Sequence, residues 1–152
     1  FLIISGIAFT GYQIYSRSGL REIPEEAKKY FETFKKLTEE MSRFIELEDK
    51  RLEGKITERQ YLKKRAEINK RITKLKKELE KGRKTMERLA SEIGYLQEIL
   101  EETKNIERNW NELQKLEDRF KRKLIKPEDY REKRKEIITV FKTHLTRLES
   151  KL

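Results

Sequence analysis

The chain has 152 residues, of which 43% are Asp, Glu, Lys or Arg and only 35% are hydrophobic, with a formal net charge of +10. That apolar content is low for one compact core of this size, but it suits long helices that offer narrow apolar seams. The absence of cysteine excludes disulfides and thiolate metal sites, and strict apolar periodicity with only six Gly and two Pro argues against disorder.

The Lys/Glu/Arg-rich composition fits growth at high temperature, where charge networks are common. The 38 basic residues are interleaved with 28 acidic ones along the helices, which cancels the local field. Two denser basic runs remain, Lys70–Lys77 and Arg119–Lys126. They read as solvated helix faces, with a nucleic-acid surface as the alternative.

Residues 1–16, from Phe1 to Ser16, carry no charge. A helix of that length covers about 24 Å, short of the roughly 30 Å hydrocarbon core, so the segment is expected to be the distal part of a membrane-spanning helix that begins upstream. Tyr12 and Tyr15 would lie at the interface. Arg17, Arg21, Lys28 and Lys29 then place the remainder on the cytoplasmic side by the positive-inside rule. A signal-peptide remnant or a buried terminal helix would be the other reading of so short a stretch. A connector over 17–23 follows.

The first helix is expected over about 24–53, opened by Pro24 with Glu25 and Glu26 in its first turn and ended at Gly54. Tyr30, Phe34, Leu37, Met41, Phe44 and Leu52 form its seam. Thr57 with Gln60 three residues on is a capping-box pattern that starts a second helix. Its three-four alternation runs through Tyr61, Ile68, Ile72, Leu75, Leu79, Met86, Leu89, Ile93, Leu96 and Leu100, and passes Gly82 in phase. One helix over about 57–122 is therefore expected, with a one-residue slip of phase after Leu100. Pro127, Glu128 and Asp129 open a third, over about 127–150, with Tyr130, Ile137, Phe141, Leu145 and Leu148 along its seam.

These lengths predict an all-α fold: an elongated coiled-coil or helical-hairpin rod over 24–152 behind the N-terminal transmembrane segment. The middle helix would approach 100 Å and its flanking helices about 40 Å each. Neither flanking helix would cover Met86, Leu89, Ile93 and Leu96, so that stripe is the expected oligomerisation surface, or the dock for a helical protein partner. Gly82 and Gly94 beside it would allow close approach.

The chain also repeats itself at an offset of 69 residues. Leu47-Glu48-Asp49-Lys50 aligns with Leu116-Glu117-Asp118-Arg119, and Ile56, Tyr61, Lys64, Arg65, Glu67 and Ile68 align with Ile125, Tyr130, Lys133, Arg134, Glu136 and Ile137. Each copy, 47–68 and 116–137, reads as a helical hairpin. The turns are marked by Gly54, Ile56, Thr57 and Tyr61 in the first, and by Ile125, Pro127 and Tyr130 in the second. Arg65 and Arg134 stand at equivalent seam positions and need acids. The expected partners lie across each turn, Glu48 or Asp49 for Arg65 and Glu117 or Asp118 for Arg134.

Residues 47–68, with Gly54, Ile56, Thr57, Tyr61, Lys63 and Lys64, resemble the short C-terminal domain family known as SHOCT. The resemblance implies a small helical hairpin that serves as an oligomerisation module and often flanks membrane segments. The second copy departs from that pattern at Lys123 and at Lys126-Pro127. Phe1-Leu2-Ile3-Ile4 is also similar to the start of mature type IV pilins, although Ser5 stands where those carry a glutamate and no strand-forming headgroup follows.

Chemistry-bearing constellations are sparse. His144 is the sole histidine and reads as a packing residue, and Trp110 with Phe120 and Tyr130 reads as an aromatic cluster between helices. Adjacent acids such as Glu101-Glu102 point to different sides of a helix, and no phosphate loop or dinucleotide fingerprint occurs. No catalytic, metal or cofactor residue is expected. The expected function is a non-enzymatic, membrane-anchored scaffold or assembly subunit of a larger membrane or surface-filament complex. The alternatives are a basic nucleic-acid-binding helical protein and a pilin-like filament subunit.

Overall fold

The computed structural model describes residues 23–152, and every regular element among them is α-helical. The helices are α1 Glu25–Leu52, α2 Glu58–Glu92, α3 Gly94–Lys121 and α4 Pro127–Lys151. The apolar segment 1–16, the pilin-like start and most of the connector lie outside the described residues. Among the described residues no helix is long and apolar enough to cross a membrane.

The chain divides into two compact units, one up to Glu32 and one over Thr33–Leu152. In the first, Pro24 leads into α1, its carbonyl accepting from the Lys28 N–H at 2.9 Å, and the Tyr30 and Phe31 rings meet edge to face at 5.9 Å. In the second, contacts fix the helix directions. Arg71 Nε donates to Glu40 Oε1 at 2.8 Å and Tyr61 hydrogen-bonds Glu48, so α2 runs antiparallel to α1. Arg83 reaches Glu107 at 3.8 Å and Arg65 reaches Glu117 at 3.7 Å, which sets α3 antiparallel to α2. His144 meets Glu102 at 2.8 Å and Tyr130 stacks on Phe120 at 4.1 Å, so α4 returns along α3. Arg134 lies 2.7 Å from Asp49, closing α4 onto α1. Thr33–Leu152 is thus an up-down-up-down four-helix bundle.

Two expectations are corrected. The single helix over 57–122 is two helices, reversed at Ile93, whose φ of −121° and ψ of 106° are extended. An isolated long helix would leave its stripe in water; folding back lets α3 cover α2. The phase slip after Leu100 also disappears, because α3 counted from its own start carries an unbroken stripe of Leu96, Ile99, Thr103, Ile106, Trp110, Leu113 and Glu117, all buried. The second correction is the proposed open stripe. Met86, Leu89 and Leu96 are buried and Ile93 half-buried, so none of them offers an exposed surface. Gly94 is no close-packing point either, since nothing lies within 4 Å of a Cβ built there.

The repeat extends far beyond the hairpin turns. Shifted by 69, the bounds of α1 fall on those of α3, and the start of α2 falls on the start of α4. Burial repeats with them: Phe34 and Thr103, Leu37 and Ile106, Met41 and Trp110, Phe44 and Leu113, Leu47 and Leu116 are all buried, as are Ile72 and Phe141, Leu79 and Leu148. The second unit is a duplicated hairpin whose copies pack about an approximate two-fold axis along the bundle.

Both turns share one backbone design. Gly54 N–H donates to Arg51 and Lys55 N–H to Lys50, while Lys123 N–H donates to Phe120 and Leu124 N–H to Arg119, the same pattern one repeat on. Gly54 has φ +71° and Lys123 φ +59°, both left-handed. The conformation suits glycine and strains lysine, by roughly 1 kcal/mol. Lys123→Gly is therefore expected to raise unfolding free energy by about that amount and Gly54→Ala to lower it similarly, as read from urea midpoints. Open space around the Gly54 Cβ leaves the backbone as the cause. After the turns, α2 begins with the full Thr57–Gln60 capping box, whereas α4 relies on Pro127 in its first turn.

Candidate functional site

Repeat-equivalent residues on α1 and α3 meet where the two-fold axis passes between them, and the acid at that position is Glu48 in one copy and Glu117 in the other. Both are buried, at 5% and 8% exposure. Two carboxylates cannot both stay ionised there cheaply. Burial, the neighbouring Glu48 charge and the hydrogen bond to Glu48 push the Glu117 carboxyl up to about 8, against the opposing pull of Arg65 and Lys121. No hydrogen-bond partner reaches the buried Oε2 of Glu117, which adds to the cost of ionising that carboxyl.

The rest of the cluster follows the same symmetry. Tyr61 donates its hydroxyl to Glu48. Burial, with the Glu48 bond, raises the phenol well above its usual range. Tyr130, its counterpart, is pushed up to about 12 by burial and by the charges of Glu117 and Glu48. Arg51 lies 4.3 Å over the Tyr61 ring, and Phe120, which replaces Arg51 in the second copy, stacks on Tyr130 instead. The phenol is faced by a cation in one half and by an aromatic ring in the other.

Arg65 and Arg134 occupy equivalent places, but their partners correct the expectation. Arg65 pairs with Glu117 of the second copy rather than with an acid of its own hairpin, and Arg134 pairs with Asp49 of the first while donating to the Ile45 carbonyl at 3.2 Å. The pairs cross between repeats. The physical reason is the fold-back at Ile93, which sets α3 beside α2 and α4 beside α1. A double-mutant cycle over Arg134→Ala and Asp49→Ala is expected to return a coupling of about 1 kcal/mol or more in chemical denaturation. The cycle over Arg134→Ala and Asp118→Ala should return none.

Gly54, Ile56 and Thr57 lie at one turn and Ile125 and Pro127 at the other, with both isoleucines half-buried. They shape the hairpins without joining the polar cluster, whereas Tyr61, Tyr130, Arg65 and Arg134 do join it. Met86, Leu89, Ile93 and Leu96 sit at the other end of α2 and α3 and take no part. Sequence reasoning missed the Glu48–Glu117 contact, although the repeat itself carried the signal: equal residues at equivalent positions meet wherever they flank the axis. It also missed the bond of His144 to Glu102.

Chemically the cluster is a buried carboxyl pair, Glu48 bonded by the Tyr61 hydroxyl and Glu117 paired with Arg65, with Tyr130 near both acids and Arg134 held beside them on Asp49. Such a network penalises any other helix register, because a shift of one turn strands buried charge. Among the described residues no group of three or more His, Cys, Asp or Glu side chains is placed to hold a metal. Comparison with family models, with curated proteins and with solved structures finds no significant match.

Proposed function

We propose that this chain is a non-enzymatic assembly subunit in which a duplicated helical hairpin acts as the association device, carried behind the apolar segment 1–16 at the cytoplasmic face of a membrane. The observation that supports the reading most is that each hairpin docks through the other's polar residues, Arg65 onto Glu117 and Arg134 onto Asp49. A helical hairpin that serves as an oligomerisation module is what the SHOCT-like pattern at 47–68 implies. The charged exterior agrees with a scaffold role. Arg51 with Glu58, Lys55 with Glu53, Arg88 with Glu92 and Arg122 with Asp118 neutralise one another along the surface, which weakens the case for a nucleic-acid groove.

Cross-linking of the full chain in its native membranes tests the proposal. A discrete species of fixed composition is the expected result, and a chain that fractionates as a free monomer would contradict it. Retardation of DNA or RNA at physiological salt, weakening steeply as salt rises, would instead favour the nucleic-acid reading.

A further inference from the structure

The bend between α2 and α3 differs from the two hairpin turns in every respect that makes a turn permanent. It consists of one residue, Ile93, which is at once the last cap of α2 and the first cap of α3. Its own N–H still donates to Leu89 at 2.9 Å, and its carbonyl accepts from Leu96 at 3.1 Å, so helical hydrogen bonding reaches it from both sides. No side chain caps the start of α3; α2 ends without a basic residue and α3 begins without an acidic one. Orphan donors and acceptors at two such ends would all find partners if the helices joined. Moving one residue from extended to helical torsions would join them. The apolar stripe Met86, Leu89, Ile93, Leu96 and Leu100 keeps its three-four spacing across the bend, and the Cβ position of Gly94 faces open space.

From this we infer that the bundle is one of two states and that its partner is a second copy of the same chain. In the open state α2 and α3 form one continuous helix, and the hairpin before Ile93 docks on the hairpin after Ile93 of the other chain. Every cross-repeat contact survives the exchange: Arg65 with Glu117, Arg134 with Asp49, and Phe44 edge to face with Trp110 are made between chains instead of within one. Two near-equal halves joined by a minimal, uncapped link are the arrangement that favours exchange of identical elements. Closure within one chain wins at low concentration because its halves are tethered, and exchange wins as concentration rises. The inference gives the assembly reading a defined partner and rests on it only to that extent.

Residue 94 supplies opposite arms for the test. Gly94→Ala adds helix propensity where the open state needs it most, inside a continuous helix, and is expected to tighten dimerisation roughly tenfold. Gly94→Pro suits the first position of α3 and holds Ile93 extended, so it should abolish the exchanged dimer while leaving the monomer folded. Full-length chains labelled only at Leu62→Cys are mixed with chains labelled only at Leu124→Cys, refolded together and separated by size. Energy transfer confined to the dimer fraction, strengthened by G94A and lost in G94P, is the expected result. A dimer without transfer between chains, a dimer that persists in G94P, or a monomer at all concentrations for both wild type and G94A would overturn the inference. Native-membrane cross-links that persist in G94P would show that assembly proceeds by another surface, which separates failure of the exchange from failure of the assembly reading.

Discussion

Glu117→Gln is expected to flatten the pH dependence of stability between about pH 5 and pH 9 and to leave the variant more stable than wild type at the alkaline end. Glu117 has its carboxyl raised from 4.5 to about 8 in the folded chain, so the folded state holds a proton that the unfolded state has already released. The stability linked to that proton is complete below about 4.5 and is lost as pH rises through about 8. A single proton sets the steepest slope at about 1.4 kcal/mol per pH unit. The groups facing it are Glu48, Arg65 and Lys121. Tyr130 extends the loss above pH 10 by the same sign, since its raised phenol must also ionise. Glutamine keeps a donor toward Glu48 without the ionisation. Urea midpoints measured at pH 5, 7 and 9 check the expectation, and parallel profiles for the two proteins would refute it.

Phe44→Ala should cost about 3–5 kcal/mol, a large part of the roughly 5–15 kcal/mol that holds a domain of this kind together. Phe44 is fully buried, meets Trp110 edge to face at 5.3 Å and lies 5.7 Å beneath the Arg65 guanidinium. Its removal leaves a cavity next to a cation that has lost its aromatic face. Leu62→Ala, at a position 53% exposed on α2, is the control and should change stability by no more than about 0.5 kcal/mol. Trp110 is the sole tryptophan and is itself buried, so its emission follows unfolding of both variants without an added probe.

The helices and both hairpin turns were legible because their signals are local. Pro24, Gly54, Thr57 with Gln60, and Pro127 act within a turn of themselves, and the 69-residue repeat needs only side-by-side comparison. The bend at Ile93 was not legible. It carries no proline and no capping side chain, and the apolar spacing crosses it in phase, so a straight helix and a reversed one share the same local pattern. What decides between them is non-local: α3 covers the stripe that a straight α2 would expose. The arginines at 65 and 134 could be recognised as needing acids, but their partners depended on which helices lie side by side. With α2 taken as continuous, an acid of the same hairpin was the nearest choice. Once α3 folds back, Glu117 and Asp49 are nearer. Lys123 shows the converse case, in which the backbone takes the left-handed turn although the residue there is not one that favours it.

The central claim, that α2 and α3 fold back within one chain, is tested most directly by the separation of Leu62 and Leu124. Both are exposed, and the chain has no cysteine of its own, so Leu62→Cys and Leu124→Cys accept a pair of probes cleanly. In the monomer fraction of a doubly labelled chain at low concentration, the bundle places both sites at its hairpin-turn end, within about 30 Å given helix diameters near 10 Å. A continuous helix would hold them roughly 90 Å apart at 1.5 Å per residue. Strong energy transfer in that monomer is the predicted result, and its absence in a folded, helical monomer would contradict the fold-back and the crossed pairs that depend on it.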